Sequence, residues 1–232
     1  MITKNQILAR LSPDTLARLA PHLKLVNFER GQIIQNPGDP LIYLYFPIDC
    51  LFSITITMQD GAVSEVGMIG SREVLGFSAL MGGNETSQTD ITVQVAGSAM
   101  RIEVQVIRQE FDRNSELRDS LLRANQAFLI QVSQTAACNA LHVIEQRLGY
   151  WLLKAQERLD SDDLPLTQEL LATMLGVRRA GVTQIALSLQ ERKLIQYRRG
   201  NIKILNQSAL EATACECFAT VKKQYDRLLG EK

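Results

Sequence analysis

Residues 166–205, LTQELLATMLGVRRAGVTQIALSLQERKLIQYRRGNIKIL, constrain this chain more than any other part of it. Thr167 is placed to cap a helix, because its hydroxyl can accept from the free amides of the next turn. Glu169 adds a negative charge near the positive helix end. Leu170, Leu171, Met174 and Leu175 then form one apolar stripe. Gly176 supplies the backbone freedom for a tight turn. A second helix follows at once, with Val182, Ile185, Ala186 and Leu189 on its inward face. Two short strands, 194–197 and 202–205, flank a turn at Arg199-Gly200-Asn201. Helix, tight turn, helix and hairpin in that order predict a winged helix-turn-helix.

The outward residues of this module indicate its partner. Arg178, Arg179, Thr183 and Gln184 lie on the free face of the second helix, where arginine can bind guanine through two parallel hydrogen bonds. Thr167, Ser188, Arg198, Arg199 and Lys203 are placed to meet phosphates. The whole chain is neutral, with 25 basic and 25 acidic residues, so bulk charge points to no partner. Between Val177 and Lys203, however, there are seven basic residues and one acid, Glu191, whereas residues 1–114 carry nine basic and twelve acidic side chains. The positive charge is gathered on one module, as an electrostatic footprint for double-stranded DNA requires.

The rest of the chain divides by pattern. Short apolar strands at 31–34, 41–46, 51–58, 64–69, 91–95 and 99–104 are separated by turns at Asn36-Pro37-Gly38-Asp39, Asp60-Gly61 and residues 81–84. This spacing predicts a small jelly-roll barrel. From Ser115 to Leu159 there is no proline and one glycine, Gly149, so the segment is helical, with a break expected near residues 139–142. Leu117, Leu121, Ala124, Phe128, Gln131, Thr135 and Cys138 follow alternating spacings of four and three, a seam on which a second copy could pair. A second apolar row runs through Leu122, Leu129 and Val132. The expected architecture is α+β: a barrel sensor over 1–114, a dimerisation helix over 115–140, and a winged helix-turn-helix with a C-terminal helix over 141–232. A two-fold dimer would set two recognition helices about 34 Å apart on a palindromic site.

No apolar run approaches the roughly 20 residues that cross a bilayer, and the first 23 residues read as short amphipathic helices, so no membrane role and a cytoplasmic location are expected. Cys50, Cys138, Cys215 and Cys217 are scattered and form no disulfide framework. The barrel segment 26–107 contains no histidine, which removes cupin-type metal catalysis. There is also no nucleophile elbow, phosphate-binding glycine loop or triad, so no enzymatic activity is expected. A regulatory ligand-binding subunit acting on a partner protein would leave the basic module unexplained.

In this order of parts the chain resembles the Crp/Fnr family of bacterial transcription regulators. The resemblance rests on Gly31-x-Ile33-Ile34-x3-Gly38-Asp39 and Asp60-Gly61 in the barrel, and on Gln146-Arg147-Leu148-x3-Leu152-Leu153. Leu166-Thr167-Gln168-Glu169-x-Leu171-Ala172-x2-Leu175-Gly176-Val177-Arg178-Arg179 is more specific still. It implies that Arg179 reads guanine, that Ala180 stands where many members carry a base-contacting glutamate, and that Gln184 stands where several carry a second arginine. It also implies a homodimer, RNA polymerase as a further partner, and a small-molecule or redox effector acting on the barrel.

The effector site implied by the family falls on Gly76, Phe77, Ser78, Thr86 and Ser87. Phe77 occupies the place of the ribose-binding glutamate, and residues 73–100 contain no Lys or Arg, which argues against cyclic AMP or cyclic GMP. No cysteine lies in residues 1–49 for an iron–sulfur cluster of the family's N-terminal type, and only His22 and His142 could ligate haem. On one helix spanning 208–229, Cys215 and Cys217 would point about 200° apart and could not grip one ion. No metal or cofactor is therefore expected. Cys138, on the expected dimer seam, is the better redox candidate.

Overall fold

The computed structural model describes residues 4–82 and 86–230; part of the turn expected at 81–84 lies outside them. Two short helices, α1 (Gln6–Ala9) and α2 (Pro13–Leu19), precede seven strands: β1 (Lys24–Phe28), β2 (Ile33–Gln35), β3 (Tyr43–Pro47), β4 (Leu51–Thr57), β5 (Val63–Ile69), β6 (Asp90–Val95) and β7 (Gly97–Glu103). They form two antiparallel sheets, β1-β7-β3 and β2-β6-β4-β5. Phe28 of β1 packs edge-on against Phe52 of β4 at 5.3 Å and against Tyr45 of β3 at 5.8 Å, which joins the sheets through one aromatic cluster. The first of these strands, β1, precedes the six expected from sequence. Its Lys24-Leu25-Val26-Asn27-Phe28 lacks a clean alternation.

Two helices, α3 (Val104–Arg113) and α4 (Ser115–Leu141), lead out of the barrel. Asn114 caps α4 by accepting from the amides of Glu116 and Leu117. The break falls at His142 and Val143, both in extended backbone, and α5 (Ile144–Leu159) follows. Beyond it come β8 (Asp163–Leu164), α6 (Gln168–Leu175), α7 (Arg179–Glu191), β9 (Ile195–Arg198), β10 (Asn201–Ile204), α8 (Gln207–Thr213) and α9 (Cys217–Leu229). The wing is three-stranded, β8-β10-β9, because Leu164 adds a short strand against Ile202.

The C-terminal module is joined to the barrel rather than hung from it. α6 lies against β5, and α9 lies along α4. β5 is an edge strand, and its outward backbone at Met68 is satisfied by a side chain. The Gln131 amide accepts from Met68 N at 2.9 Å, donates to Met68 O at 3.2 Å and donates to the Tyr225 hydroxyl at 2.8 Å. The Tyr225 ring in turn sits beside two guanidinium groups, Arg72 at 5.3 Å and Arg158 at 5.1 Å. Arg158 pairs with Glu73 at 2.6 Å, and Arg72 pairs with Glu157 and, at 2.8 Å, with Asp226. Arg72, Glu73 and Arg158 are all buried. Nearby, the buried Glu65 carboxylate accepts from Ser53, Gln94 and the Trp151 indole, with Lys154 at 3.9 Å. Burial raises the Glu65 carboxyl against the pull of Lys154, and burial pushes Lys154 down to about 8.

These contacts correct the expected dimer seam. Leu117, Leu121, Ala124, Gln131, Thr135 and Cys138 are buried within one chain, against the barrel and α9, and Phe128 is half-buried beside Gly67. The stripe faces inward because α9, whose place no local pattern reveals, occupies that side of α4. The face left open carries Leu122, Gln126, Leu129, Ser133, Ala136 and Ala140, again at alternating spacings of four and three. Replacing Gln131 with Leu should lower unfolding free energy by about 1–3 kcal/mol, since the buried Met68 amide and carbonyl lose their partner. Urea denaturation of the variant beside the parent chain checks this.

Candidate DNA-binding face and effector cavity

Thr167 caps α6 as its sequence context requires, accepting from Leu170 N at 3.2 Å. Gly176 closes that helix in left-handed backbone, φ 62°, and Arg178 serves as the N-cap of α7. Val182, Ala186 and Leu189 are buried, so Arg178, Arg179, Ala180, Gln184 and Leu187 project from the opposite side. Ser188 is half-buried at the edge of that face. Thr183 differs from its expected role, because its hydroxyl lies 2.8 Å from Gln168 Oε1 and 3.1 Å from the Arg179 carbonyl. It ties α7 to the start of α6 instead of reaching outward.

The wing turns in two residues. Arg198 pairs with Asn201 across Arg199 and Gly200, whose φ values of 49° and 79° make the left-handed turn that matches strand twist. Arg198, Arg199 and Lys203 are exposed. Two acids that sequence distance hides lie close to this surface. Glu169 forms an exposed ion pair with Arg179, and Asp163 lies 3.9 Å from Lys203. Both pairs are solvent-exposed and weak enough to exchange for phosphate or a base edge.

All five residues expected at the effector site line one cavity of about 460 Å³ between the barrel and α4: Gly76, Phe77, Ser78, Thr86 and Ser87. Gly76 has φ 91°, and a Cβ there would lie 2.6 Å from the Tyr43 carbonyl, so the turn into the following 3-10 segment demands glycine. Ile54, Val66, Ile69 and Leu41 make much of the wall, with Gln35, Gln88 and Asn125 as polar points. Among the lining residues there is no Lys, Arg or His. Among the described lining residues the one ionisable group is Glu73, paired to Arg158 and hydrogen-bonded to the Gly70 amide at 2.8 Å. Sequence reasoning missed the α4 side of this cavity. Asn125, Phe128, Leu129 and Val132 also line it, and Leu129 belongs to the open helix face as well.

The model of the Crp-like helix-turn-helix domain matches residues 146–213, and that of the cyclic nucleotide-binding domain matches residues 25–114. The chain belongs to the Crp/Fnr family of transcription regulators. It is 22% identical over 212 residues to the global nitrogen regulator of Nostoc sp., covering 88% of this chain and 95% of that protein. It is 23% identical over 224 residues to the CRP-like cAMP-activated global transcriptional regulator of Mycobacterium tuberculosis, covering 90% and 99%. Among solved structures, FixK2 from Bradyrhizobium japonicum superposes with a TM-score of 0.71 at 12% identity, covering 83% of this chain and 98% of that one. The c-di-GMP responsive regulator CLP of Xanthomonas campestris gives 0.68 at 18% identity, covering 84% and 100%. As a Crp/Fnr-type regulator the protein is DNA-binding, and its homologues are transcription regulators, not enzymes. No helix among the described residues is long and apolar enough to cross a membrane.

The sequence's cysteine geometry needs correction. The helix expected over 208–229 is two helices, since Ala214 is extended (φ −67°, ψ 162°) and α9 starts only at Cys217. Gly149 permits this, because a Cβ there would lie 3.1 Å from the Ala214 methyl. Cys138 faces Cys215 of its own chain at 3.5 Å and is not presented to a second copy.

Arg199 offers a test of the wing. Arg199→Gly should raise stability by about 1 kcal/mol by relieving a left-handed residue, and should weaken DNA binding in the same protein. Thermal unfolding and a binding titration on one sample separate the two effects.

Proposed function

We propose that the protein binds a two-fold symmetric DNA site as a homodimer, under the control of a small, uncharged and largely apolar molecule held in the barrel cavity. The observation that carries the DNA half of this reading is the exposed face of α7, with Arg178, Arg179 and Gln184, set beside the basic wing of Arg198, Arg199 and Lys203. Arg179 is the base reader, Arg178 and Gln184 support it, and Arg198, Arg199 and Lys203 anchor phosphates. Ser188 and Thr167 lie at the edge of the same surface and contribute phosphate contacts.

The dimer reading moves to the open face of α4. Leu122 and Leu129 are 46% and 55% exposed, and Ser133, Ala136 and Ala140 below them let a second helix approach closely. Leu129 borders both this face and the cavity, so a ligand that fills the cavity presses on the pairing surface. At its other side the cavity ends on Glu73, whose partner Arg158 belongs to α5, the first helix of the DNA-binding module. A ligand that favours one arrangement of these contacts shifts the separation of the two α7 helices.

The named signals of relatives do not transfer directly. One relative is cAMP-activated and one structural neighbour is c-di-GMP responsive, but the cavity here offers no cation to a phosphate. RNA polymerase fits as a further partner of a promoter-bound regulator.

A gel-shift series on the chain's own upstream region tests the DNA reading. Affinity should fall steeply between low and moderate salt as phosphate contacts release counterions. Arg179→Ala should cost about 1–3 kcal/mol on the cognate site and relax specificity at one base pair, whereas Arg198→Ala should weaken all sequences alike. An absence of shift at low salt would overturn the assignment. For the dimer, Leu129→Arg should yield a folded monomer in sedimentation; a dimer that survives it would place the interface elsewhere.

A further inference from the structure

Outside the DNA-binding face and the cavity, four side chains converge where the end of α4 meets the turn between α8 and α9. Cys138, His142, Cys215 and Cys217 present their ligand atoms within 4.8 Å of one another. Cys138 Sγ lies 3.5 Å from Cys215 Sγ, and Cys217 Sγ lies 3.5 Å from His142 Nδ1. All three cysteines are buried and unbridged. We propose that these four residues form a closed, tetrahedral site for a single zinc-type divalent ion.

The spacing decides between candidate groups. Four ligands at metal–sulfur bonds of about 2.3 Å and a metal–nitrogen bond of about 2.0 Å sit at tetrahedral edges of roughly 3.5–3.8 Å, close to the separations seen. An iron–sulfur cluster spreads its ligands over several metal atoms and needs a wider cage. Three thiolates and one imidazole are the donor set of a structural zinc site, with no position left for water.

The surroundings are those of a held ligand set. The far nitrogen of His142, Nε2, lies 3.4 Å from the Glu216 carboxylate, which fixes the ring with Nδ1 toward the cysteines. The Gln134 amide donates to Cys217 Sγ at 3.2 Å. The charge of Arg147 acts on Cys138 and Cys215 and would offset that of their thiolates once an ion is held. An ion here would tie the end of α4 to the start of α9 across the bend at His142 and Val143 that leads into the DNA-binding module.

The test uses the full chain, purified under reducing conditions and stripped with a chelator, then titrated with Co²⁺ alone. The expected result is one cobalt per chain, with the intense visible bands of tetrahedral thiolate cobalt and a thiolate charge-transfer band, both bleached by one equivalent of Zn²⁺. Zinc should also raise the thermal unfolding midpoint. Cys215→Ser with Cys217→Ser should abolish the bands. If that variant does not fold, Glu216→Gln at the surface is expected to weaken cobalt binding about 10–100-fold while leaving the fold intact. A weak octahedral spectrum, binding insensitive to these substitutions, or iron with acid-labile sulfide would overturn the proposal.

Discussion

The contact on which the structure turns is the buried Tyr225, wedged between Arg72 and Arg158 with its hydroxyl on Gln131. The four residues come from the barrel, α4, α5 and α9. Two guanidinium groups out of water are tolerable only where carboxylates answer them, and Glu73, Glu157 and Asp226 do so. Removing one charge from such a set leaves another buried and unpaired. This requirement sets how the C-terminal module sits on the barrel, and it sets which face of α4 stays open.

The same network gives the cavity a mechanical connection. Glu73 lies at the cavity wall and at the Arg158 ion pair at once, while Leu129 lies at the cavity wall and on the open helix face. A molecule held in the cavity would therefore touch both the docking of the module and the face of α4 proposed for pairing. A cationic ligand would compete with Arg158 for Glu73, and an anionic one would meet no Lys, Arg or His among the described lining residues.

Much of the DNA-binding module was legible in its residues. Thr167, Gly176 and Arg199-Gly200 each act through local backbone chemistry, so caps and turns fall where they are expected. The apolar stripes of α6 and α7 then dictate that Arg178 and Arg179 face outward. The seam on α4 was misread for the opposite reason. Periodicity reports that a face is buried but not what buries it, and Leu117, Leu121 and Cys138 meet the chain's own barrel and α9. Thr183 was misassigned likewise, since its partner Gln168 lies fifteen residues away on another helix.

The sequence by itself determined the winged helix-turn-helix, the concentration of positive charge on it, and the absence of a cation along residues 73–100. These follow from local propensity and from residue identity, which folding does not change. Tertiary structure alone decided which side of α4 is free, that Glu73 links the cavity to α5, and that Cys138 and His142 meet Cys215 and Cys217. The physical reason is the unsignalled break at Ala214. No proline or glycine marks it, and the turn packs closely onto α5 at Gly149, a contact that joins residues 65 positions apart and that no local pattern records.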